Sequence, residues 1–277
     1  MKKIIRIIPR LDIKNGFLIK GINLEGLRVL GNPIDFAKNY YDQGADEISY
    51  LDNVATLYGT QNLSKFIKKT AKNIFIPLSV GGGISKLDHI KELLDTGADK
   101  ICINSAVVKN LQFLEKAVKL VGSANIVINI EYVNIDKDYF VTTSLGRDLS
   151  NIKLKNWAKI VENTGAGEIV LTSINHEGIG NGFDIKNIKK ISQSVNIPVI
   201  AHGGAGNFDH VYEVIKKTKV SGVMIASLFH YDLAGYFKFK SPKTGNISFL
   251  QNKIKIKPKF ELTKLKKFLK KRKISIR

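Results

Sequence analysis

Asp12 and Glu131 are the two side chains of this sequence whose surroundings best suit acid–base chemistry. Asp12 ends the apolar stretch RIIPRLD and is followed at once by the turn-like KNG. Such a carboxylate either caps the turn through an Asx hydrogen bond or opens into a site at the end of a buried strand. Glu131 ends the similar stretch IVINIE, 119 residues further along the chain. The two carboxylates can act on one ligand only if the fold brings these strand ends together.

Strand-like and helix-like segments alternate along the chain. Stretches such as NPIDFAKNYYDQG and SKLDHIKELLDTG have apolar residues three and four apart and end in glycine, which predicts helices. The strand-like stretches are almost continuously apolar, as parallel strands covered on both faces are: KIIRIIP, EISYLD, IFIPLSV, KICIN, IVINIEY, EIVLTS, IPVIAH and GVMIAS. Eight strands that are each followed by a helix predict an α/β protein, a (β/α)8 TIM barrel that forms one domain over residues 1–277.

The sequence repeats itself at a nearly constant spacing. GADEISYLD at 44–52 is similar to GAGEIVLTS at 165–173, and IPLSVGGGIS is similar to IPVIAHGGAG at the same offset of 121 residues. We infer two repeated half-barrels of four strands each. In such a barrel the active site lies at the carboxyl ends of the strands, where Asp12 and Glu131 occupy equivalent places in the two halves. The repeat therefore favours the active-site interpretation of Asp12 over the turn interpretation.

Glycine pairs follow the third and seventh predicted strands, in VGGGIS and in HGGAGN. Glycine lets backbone N–H groups approach an anion closely, although it also simply permits a tight turn between strand and helix. The next strand in each half ends in small residues. The pattern predicts two phosphate sites on opposite sides of the mouth and a long ligand with a phosphate at each end. The first site would contain Gly82, Gly83, Asn104 and Ser105, and the second Gly203, Gly204, Ala226 and Ser227.

The net charge of +20 is concentrated at the C-terminal end. Residues 238–277 contain 15 of the 44 basic residues and one of the 24 acids, Glu261, so this segment contributes +14. No zinc-finger spacing, RNP motif or basic-zipper pattern accompanies it, and a solvated lysine-rich face is the simpler interpretation. We therefore expect no nucleic-acid partner and no membrane partner. The mild positive charge of the remainder would help to capture an anionic substrate.

The sequence shows no pattern of export or membrane insertion. Arg6 and Pro9 interrupt the apolar N-terminal stretch, no small-residue cleavage site follows, and no apolar run approaches the ~18 residues of a membrane span. The single cysteine, Cys102, lies in the apolar stretch KICIN and is expected to be a buried thiol. The five histidines have no metal-binding spacing. We expect a cytoplasmic protein that needs neither a metal ion nor another cofactor.

The duplicated half-barrel, the GGG and GGAGN loops, and the stretches GADKICINS and GAGEIVLTS together resemble the HisF family, the cyclase subunits of imidazole glycerol phosphate synthase, over residues 4–231. The resemblance implies a lyase–cyclase in which ammonia from a glutaminase attacks a linear bis-phosphate aminoimidazole carboxamide ribotide. The products would be imidazole glycerol phosphate, for histidine biosynthesis, and aminoimidazole carboxamide ribotide. The resemblance also implies that Asp12 and Glu131 are the catalytic acid and base, and that the mouth is lined by Lys20, Asp52, Thr172 and Gly178.

Four charged residues stand at or next to the beginnings of predicted strands one, two, four and six: Arg6, Glu47, Lys100 and Glu168. Two cations and two anions that converge on a barrel floor must pair, because an isolated buried charge is costly. The alternative is four exposed charges at strand starts. The resemblance implies that the four residues form a salt-bridge gate that admits ammonia to a tunnel through the barrel. It also implies that a HisH-like glutaminase docks on this N-terminal face, where Asp99 matches a contact to the partner.

Four residues of the mouth depart from the family pattern. Arg10 stands where cysteine is usual, Glu131 and Glu177 where aspartate is usual, and His202 where serine is usual. The longer side chain at position 131 matters, since angstrom-scale misplacement of a catalytic group can lower a rate ~100-fold. His202 borders the second glycine loop, where it would either contact a phosphate or change the substrate.

A basic insertion at 235–260 has no counterpart in the family pattern. It precedes the last predicted helix, 261–273, which we expect to pack on the barrel as its eighth helix. The apolar residues of that helix fall on one face, as a helix packed on a barrel requires: Leu262, Leu265, Phe268 and Leu269.

Two other functions stay open. Because the gate residues are present while the mouth differs, the chain could be a HisF-like ammonia-channelling subunit, paired with a glutaminase in the amidation of a surface-polysaccharide or nonulosonic sugar. The third possibility is a basic protein that binds RNA or a membrane surface through its lysine-rich tail, for which the sequence gives little support. Loss of such binding on removal of residues 238–260 would distinguish it from the first two.

Overall fold

Eight parallel strands close into a barrel in the computed structural model, which describes residues 3–52, 63–237 and 261–277. In chain order the strands of these residues are β1 (Arg6–Lys14), β2 (Phe17–Ile22), β3 (Glu25–Gly31), β4 (Ile48–Asp52), β5 (Leu78–Gly81), β6 (Lys100–Ile103), β7 (Ile126–Ile135), β8 (Asp138–Thr143), β9 (Asp148–Lys153), β10 (Glu168–Ser173), β11 (Val199–His202) and β12 (Gly222–Ile225). The barrel consists of β1, β4, β5, β6, β7, β10, β11 and β12, and the pairing of β12 with β1 closes it. The predicted (β/α)8 barrel is confirmed.

Amphipathic helices cover the outside of the sheet. Several begin at a side chain that accepts a hydrogen bond from the first turn, such as Asn32, which precedes Pro33 at the first helical position, and Asn207. No helix within the described ranges has both the length and the hydrophobicity that crossing a bilayer requires. The described α-helices are α1 (Pro33–Asp42), α2 (Leu63–Ala71), α3 (Leu87–Asp95), α4 (Ser105–Lys109), α5 (Leu111–Val121), α6 (Leu154–Asn163), α7 (Ile185–Ser194), α8 (Phe208–Lys217), α9 (Ser227–Phe237) and α10 (Leu262–Lys271).

The first strand of each half-barrel continues beyond the barrel as a hairpin. After Asp12, β1 runs on for two residues and pairs antiparallel with β2, through a turn in which Asn15 and Gly16 have φ of 49° and 80°. Asn-Gly with positive φ at both positions is a favoured two-residue hairpin turn. Glu131 likewise lies within β7, which pairs antiparallel with β8. The prediction that Asp12 is the last residue of its strand is therefore wrong, because the Asn-Gly turn lets the strand fold back on itself.

The last helix packs on the outside of the barrel beside α8. The ring centroids of Phe268 and Phe208 lie 5.6 Å apart across this contact. The predicted helix 261–273 is observed as α10, and the predicted insertion 235–260 includes the last three residues of α9, while residues 238–260 lie outside the described residues. One face of α10 is fully buried through Leu262, Leu265 and Leu269.

We expect Leu265→Ala to lower the free energy of unfolding by about 2–5 kcal/mol, because it removes a fully buried side chain and leaves a cavity. Lys267→Ala, on the exposed side of the same helix, is the matched control and should change it by less than about 0.5 kcal/mol. Urea unfolding followed by circular dichroism measures both. Equal stability of the two variants would contradict the packing of α10 on the barrel.

Candidate active site

Four charged side chains meet inside the barrel at the amino ends of the strands. Lys100 Nζ lies 2.8 Å from Glu47 Oε2 and 3.0 Å from Glu168 Oε2. Arg6 Nη1 lies 2.9 Å from Glu47 Oε2, and Arg6 Nη2 pairs with Glu168 Oε1. We call these four residues the charge ring. Each cation bridges both acids, so the structure brings the four predicted residues together with every charge paired.

The barrel interior above the charge ring is apolar. Burial raises the pKa of the Cys102 thiol to about 12, so this thiol stays protonated at neutral pH and behaves as an apolar side chain. An ion would lose its hydration in such surroundings, whereas a small neutral molecule would not meet that barrier. We call the cluster the apolar layer; it consists of Ile8, Leu51, Cys102, Val127, Val170, Ile200 and Met224.

Polar side chains form the next layer, towards the carboxyl ends of the strands. Arg10 Nη1 donates to His202 Nδ1 at 3.2 Å, and His202 Nδ1 also lies 3.2 Å from Thr172 Oγ1. Thr172 Oγ1 donates to Asn129 Oδ1 at 2.9 Å, and Asn129 Nδ2 donates to Glu131 Oε1 at 3.1 Å. We call these five residues the polar belt. The belt joins β1 to β7, on the opposite side of the barrel, through β11 and β10.

Asp12 is held as a carboxylate by two cations. Its Oδ1 accepts a hydrogen bond from Arg10 Nε at 2.8 Å, and Lys20 Nζ lies 4.0 Å from its Oδ2. Burial by itself would raise the pKa of Asp12, but the charges of Arg10 and Lys20 outweigh burial and lower the pKa below its ordinary value. Lys20 also forms an ion pair with Glu177. The Asx-turn interpretation required the Asp12 carboxylate to cap the turn. Instead, the carboxylate is bound by two cations.

Glu131 lies in the opposite electrostatic situation. Burial raises its pKa to about 7, against the lowering effect of Arg10, and repulsion from Asp12 adds to the increase. The nearby Gly146 amide favours the charged form and offsets part of this increase, while Oε2 has no hydrogen-bond partner among the described residues. A carboxyl group with a pKa near 7 exchanges protons readily at neutral pH. The two predicted acid–base residues thus differ: Asp12 is a fixed anion and Glu131 is protonatable.

Two cavities of unequal size lie at the mouth among the described residues. The smaller, of about 10 Å³, lies at the second glycine loop and is lined by Glu177 and His202 together with Gly178, Gly203, Gly204, Ala226 and Ser227. The larger, of about 210 Å³, is lined by Arg10 and by six predicted residues: Asp52, Gly82, Gly83, Asn104, Ser105 and Glu131. The four residues of each predicted phosphate site therefore line one cavity together, and the two sets line different cavities. Asp12, Lys20 and Thr172 belong to the buried polar groups and line neither cavity.

The internal repeat explains why the cavities are unequal. At the offset of 121 residues, Gly81 in the first half corresponds to His202 in the second. A Cβ on Gly81 would lie 2.4 Å from the carbonyl oxygen of Cys102, so a side chain is excluded there. His202 fills the corresponding place in the second half with an imidazole that is only 2% exposed. The cavity at the first glycine loop is therefore the larger of the two.

Comparisons with known proteins bear on the family of this chain. The profile of the family described as "Histidine biosynthesis protein" matches residues 6–234. The "Imidazole glycerol phosphate synthase subunit HisF" of Staphylococcus epidermidis is 45% identical over 227 residues, which make up 81% of this chain and 90% of that protein. The protein of the same name from Legionella pneumophila is 48% identical over 206 residues, or 74% of this chain and 97% of that protein. The chain belongs to the histidine biosynthesis protein family.

Membership in this family confirms the resemblance that the sequence motifs indicated. Two residues that shape the site were nevertheless missed as contributors. Asn129 lies two residues before Glu131, so strand alternation places both on one face, and this signal could have identified it. Arg10 was noted only as a departure from the family pattern, although it contacts Asp12 and His202 at the centre of the site. In the described part of the chain, no group of three or more His, Cys, Asp or Glu side chains could hold a metal ion.

We expect Glu131→Gln to become more stable relative to the wild type as the pH rises. The pKa of Glu131 is about 7 in the folded chain and ~4.3 in an unfolded one. The folded state therefore holds the proton more tightly, and the wild type loses stability between these two pH values. The stability difference should grow across this window and level off above pH 7, at roughly 4 kcal/mol.

Urea unfolding at intervals from pH 4.5 to 8.5 measures this difference. Glu213→Gln, which changes a half-exposed glutamate of α8, is the control and should show little dependence on pH over the same range. A difference between Glu131→Gln and the wild type that stays constant with pH would show that Glu131 titrates normally.

Proposed function

We propose that this chain acts as the cyclase subunit of an imidazole glycerol phosphate synthase. Ammonia supplied by a glutaminase would be added to a linear bis-phosphate aminoimidazole carboxamide ribotide, giving imidazole glycerol phosphate and aminoimidazole carboxamide ribotide. The observation that carries the proposal is the pair of oppositely tuned carboxylates, Asp12 and Glu131, above an apolar barrel interior whose far end is the charge ring. Two carboxyl groups with separated pKa values supply one fixed anion and one proton carrier, which addition and ring closure require.

The barrel interior suits the passage of ammonia in its neutral form. The charge ring blocks the amino end, so at least one of its ion pairs must separate for a molecule to enter. The side chains of Lys100 and Arg6 are 19% and 17% exposed, whereas those of Glu47 and Glu168 are more buried. The two cations are therefore the side chains that would move towards water when an ion pair separates. Beyond the ring, the apolar layer disfavours ammonium because an ion is costly to desolvate. The ammonia that reaches the mouth is then unprotonated and nucleophilic.

Asp12 and Glu131 have different roles in this proposal. Asp12 stays ionised and would stabilise a cationic imine or accept a proton from it. Glu131 would release a proton to a departing nitrogen or carbonyl oxygen and recover one in the next step. Lys20 and Glu177, paired beside Asp12, would keep its carboxylate oriented.

The glycine loops would hold the phosphates of the substrate. Gly82 has φ of 105°, and a Cβ there would lie 2.2 Å from the carbonyl oxygen of Asp52, so only glycine fits. Gly204 has φ of 111°, and a Cβ there would lie 2.0 Å from the carbonyl oxygen of Gly182. Backbone N–H groups in such positions can face an anion without a side chain in between.

A glutaminase would dock on the barrel face that carries the charge ring. Asp99 is exposed on this face, and its Oδ2 accepts a hydrogen bond from the Leu78 amide at 2.8 Å, which fixes the carboxylate. A fixed, exposed charge is suited to recognition because little side-chain entropy is lost on binding. This face would then receive ammonia directly at the charge ring.

One observation favours a second candidate, an ammonia-delivering subunit with another acceptor, such as a sugar. The cavity at the second glycine loop is about 10 Å³, and one of its lining residues, His202, is hydrogen-bonded to Arg10. A bis-phosphate that spans both loops would have to displace one of these side chains. In the second candidate the charge ring and apolar layer keep their roles, while the mouth accepts a different compound.

The deciding experiment supplies the purified chain with the linear bis-phosphate and a high concentration of ammonium salt at pH 8.5, without glutaminase, and follows loss of substrate absorbance. Turnover supports the cyclase. A folded chain that does not turn over the bis-phosphate, yet supports the glutaminase activity of a partner, would favour delivery to another acceptor.

We expect Asp12→Asn to lower the rate of this ammonium-driven reaction at least ~100-fold, because a buried acid–base group typically contributes 10²–10⁴. Asp42→Asn, on the exposed side of α1, is the matched control and should retain full activity. Steady-state rates at saturating substrate measure both. Undiminished turnover by Asp12→Asn would show that Asp12 serves only to hold Arg10.

A further inference from the structure

Buried polar atoms without partners concentrate at the larger mouth cavity. The described residues contain seven such side-chain atoms, and three of them belong to residues that line this one cavity: Arg10 Nη2, Asn104 Oδ1 and Glu131 Oε2. A native fold pairs nearly all its buried polar groups, so unpaired atoms that share a cavity indicate a ligand that completes them. Arg10 Nη2 is a cationic donor and Glu131 Oε2 is an acceptor, so the ligand must offer both complementary groups.

Both atoms are fixed in direction by their neighbours. The Arg10 guanidinium is planar, and its Nε and Nη1 are held by Asp12 Oδ1 at 2.8 Å and His202 Nδ1 at 3.2 Å, so Nη2 has one orientation. Glu131 Oε1 accepts from Asn129 Nδ2 at 3.1 Å, which leaves Oε2 as the unpaired oxygen. A pair oriented in advance loses little entropy when a ligand arrives.

Arg10 and Glu131 line a cavity that reaches from the apolar layer to the first glycine loop. Leu51 and Cys102 line the cavity and also belong to the apolar layer, so the cavity begins where the apolar interior ends. Gly82 and Gly83 line the same cavity, on the loop after β5. A ligand with its phosphate at this loop would place its other end between Arg10 and Glu131, next to the point at which ammonia would emerge.

We propose that Arg10 is a substrate-recognition residue that works with Glu131 to bind a phosphorylated acceptor bearing a carbonyl or carboxylate oxygen next to a hydroxyl or N–H group. The oxygen accepts from Arg10 Nη2, and the neighbouring group donates to Glu131 Oε2. This inference rests on the proposed delivery of ammonia to the mouth, because it identifies the part of the acceptor that meets the ammonia. It applies to either acceptor class considered above.

Two small phosphate esters test the pair directly. 3-Phosphoglycerate has a carboxylate beside a hydroxyl, and glycerol 3-phosphate has a hydroxymethyl group in place of the carboxylate. Calorimetry at pH 7.5 should give at least about tenfold tighter binding of 3-phosphoglycerate to the wild type, since a hydrogen bond to a charged group discriminates by this order. Arg10→Met should remove the preference without changing the binding of inorganic phosphate. Glu131→Gln should weaken both esters.

Arg272→Met, which alters an arginine on the outside of the barrel paired with Asp209, is the matched control and should keep the full preference. If Arg10→Met does not fold, Arg10→Lys and the ligand series on the wild type still decide the matter. Equal affinity of the wild type for the two esters would overturn the proposal. Ammonium-driven turnover of the bis-phosphate, measured on the same preparation, tests the proposed function separately. Absence of turnover with a preference for 3-phosphoglycerate would contradict only the proposed function. Turnover without that preference would contradict only the role of Arg10.

Discussion

A buried positive charge, that of Arg10, lies inside this barrel, and the side chains of the mouth are arranged around it. Burial alone would lower the pKa of Arg10, but Asp12, Glu131 and Glu177 raise it, so the guanidinium stays charged. A buried ion persists only where opposite charges and hydrogen bonds replace its hydration. The backbone at this position is held as well, because His230 Nε2 donates to the Arg10 carbonyl oxygen at 2.6 Å. The acids of the mouth therefore stabilise the fold and prepare the chemistry at the same time.

The two half-barrels share a scaffold and differ in what they place inside it. Asp12 and Glu131 correspond in the repeat, and so do Arg10 and Asn129, at the offset of 119 residues. A cation beside Asp12 lowers its pKa, while a neutral amide beside Glu131 leaves burial as the dominant effect and the pKa rises to about 7. The difference between Arg10 and Asn129, together with Lys20 beside Asp12, thus shifts the pKa values of two equivalent carboxyl groups in opposite directions. The repeat places the two carboxyl groups at equivalent positions, and the residues that differ between the halves set their pKa values.

The pattern of the sequence predicted the scaffold because backbone periodicity and turn chemistry are local. Eight apolar stretches and the 121-residue repeat identified the strands and the strand ends at which Gly82 and Gly203 lie. Local signals did not reveal that β1 continues past Asp12, because the Asn-Gly turn was attributed to the end of the strand. Local signals also could not reveal which residue the Arg10 side chain would contact. Alternation places its side chain inside the barrel with Ile8 and Asp12, but its choice of His202 as partner depends on a residue 192 positions away.

The four positions that depart from the family pattern form one connected network. Arg10 donates to His202, and its charge acts on Glu131 and Glu177. His202 has a pKa lowered by burial and by Arg10, so its neutral imidazole offers Nδ1 as an acceptor. The four residues are therefore coupled through one buried cation, that of Arg10. Residues in one network do not contribute additively, so each departure makes physical sense only with the others present. The charge ring and the apolar layer lie outside this network, so the proposed route for ammonia does not depend on these four residues.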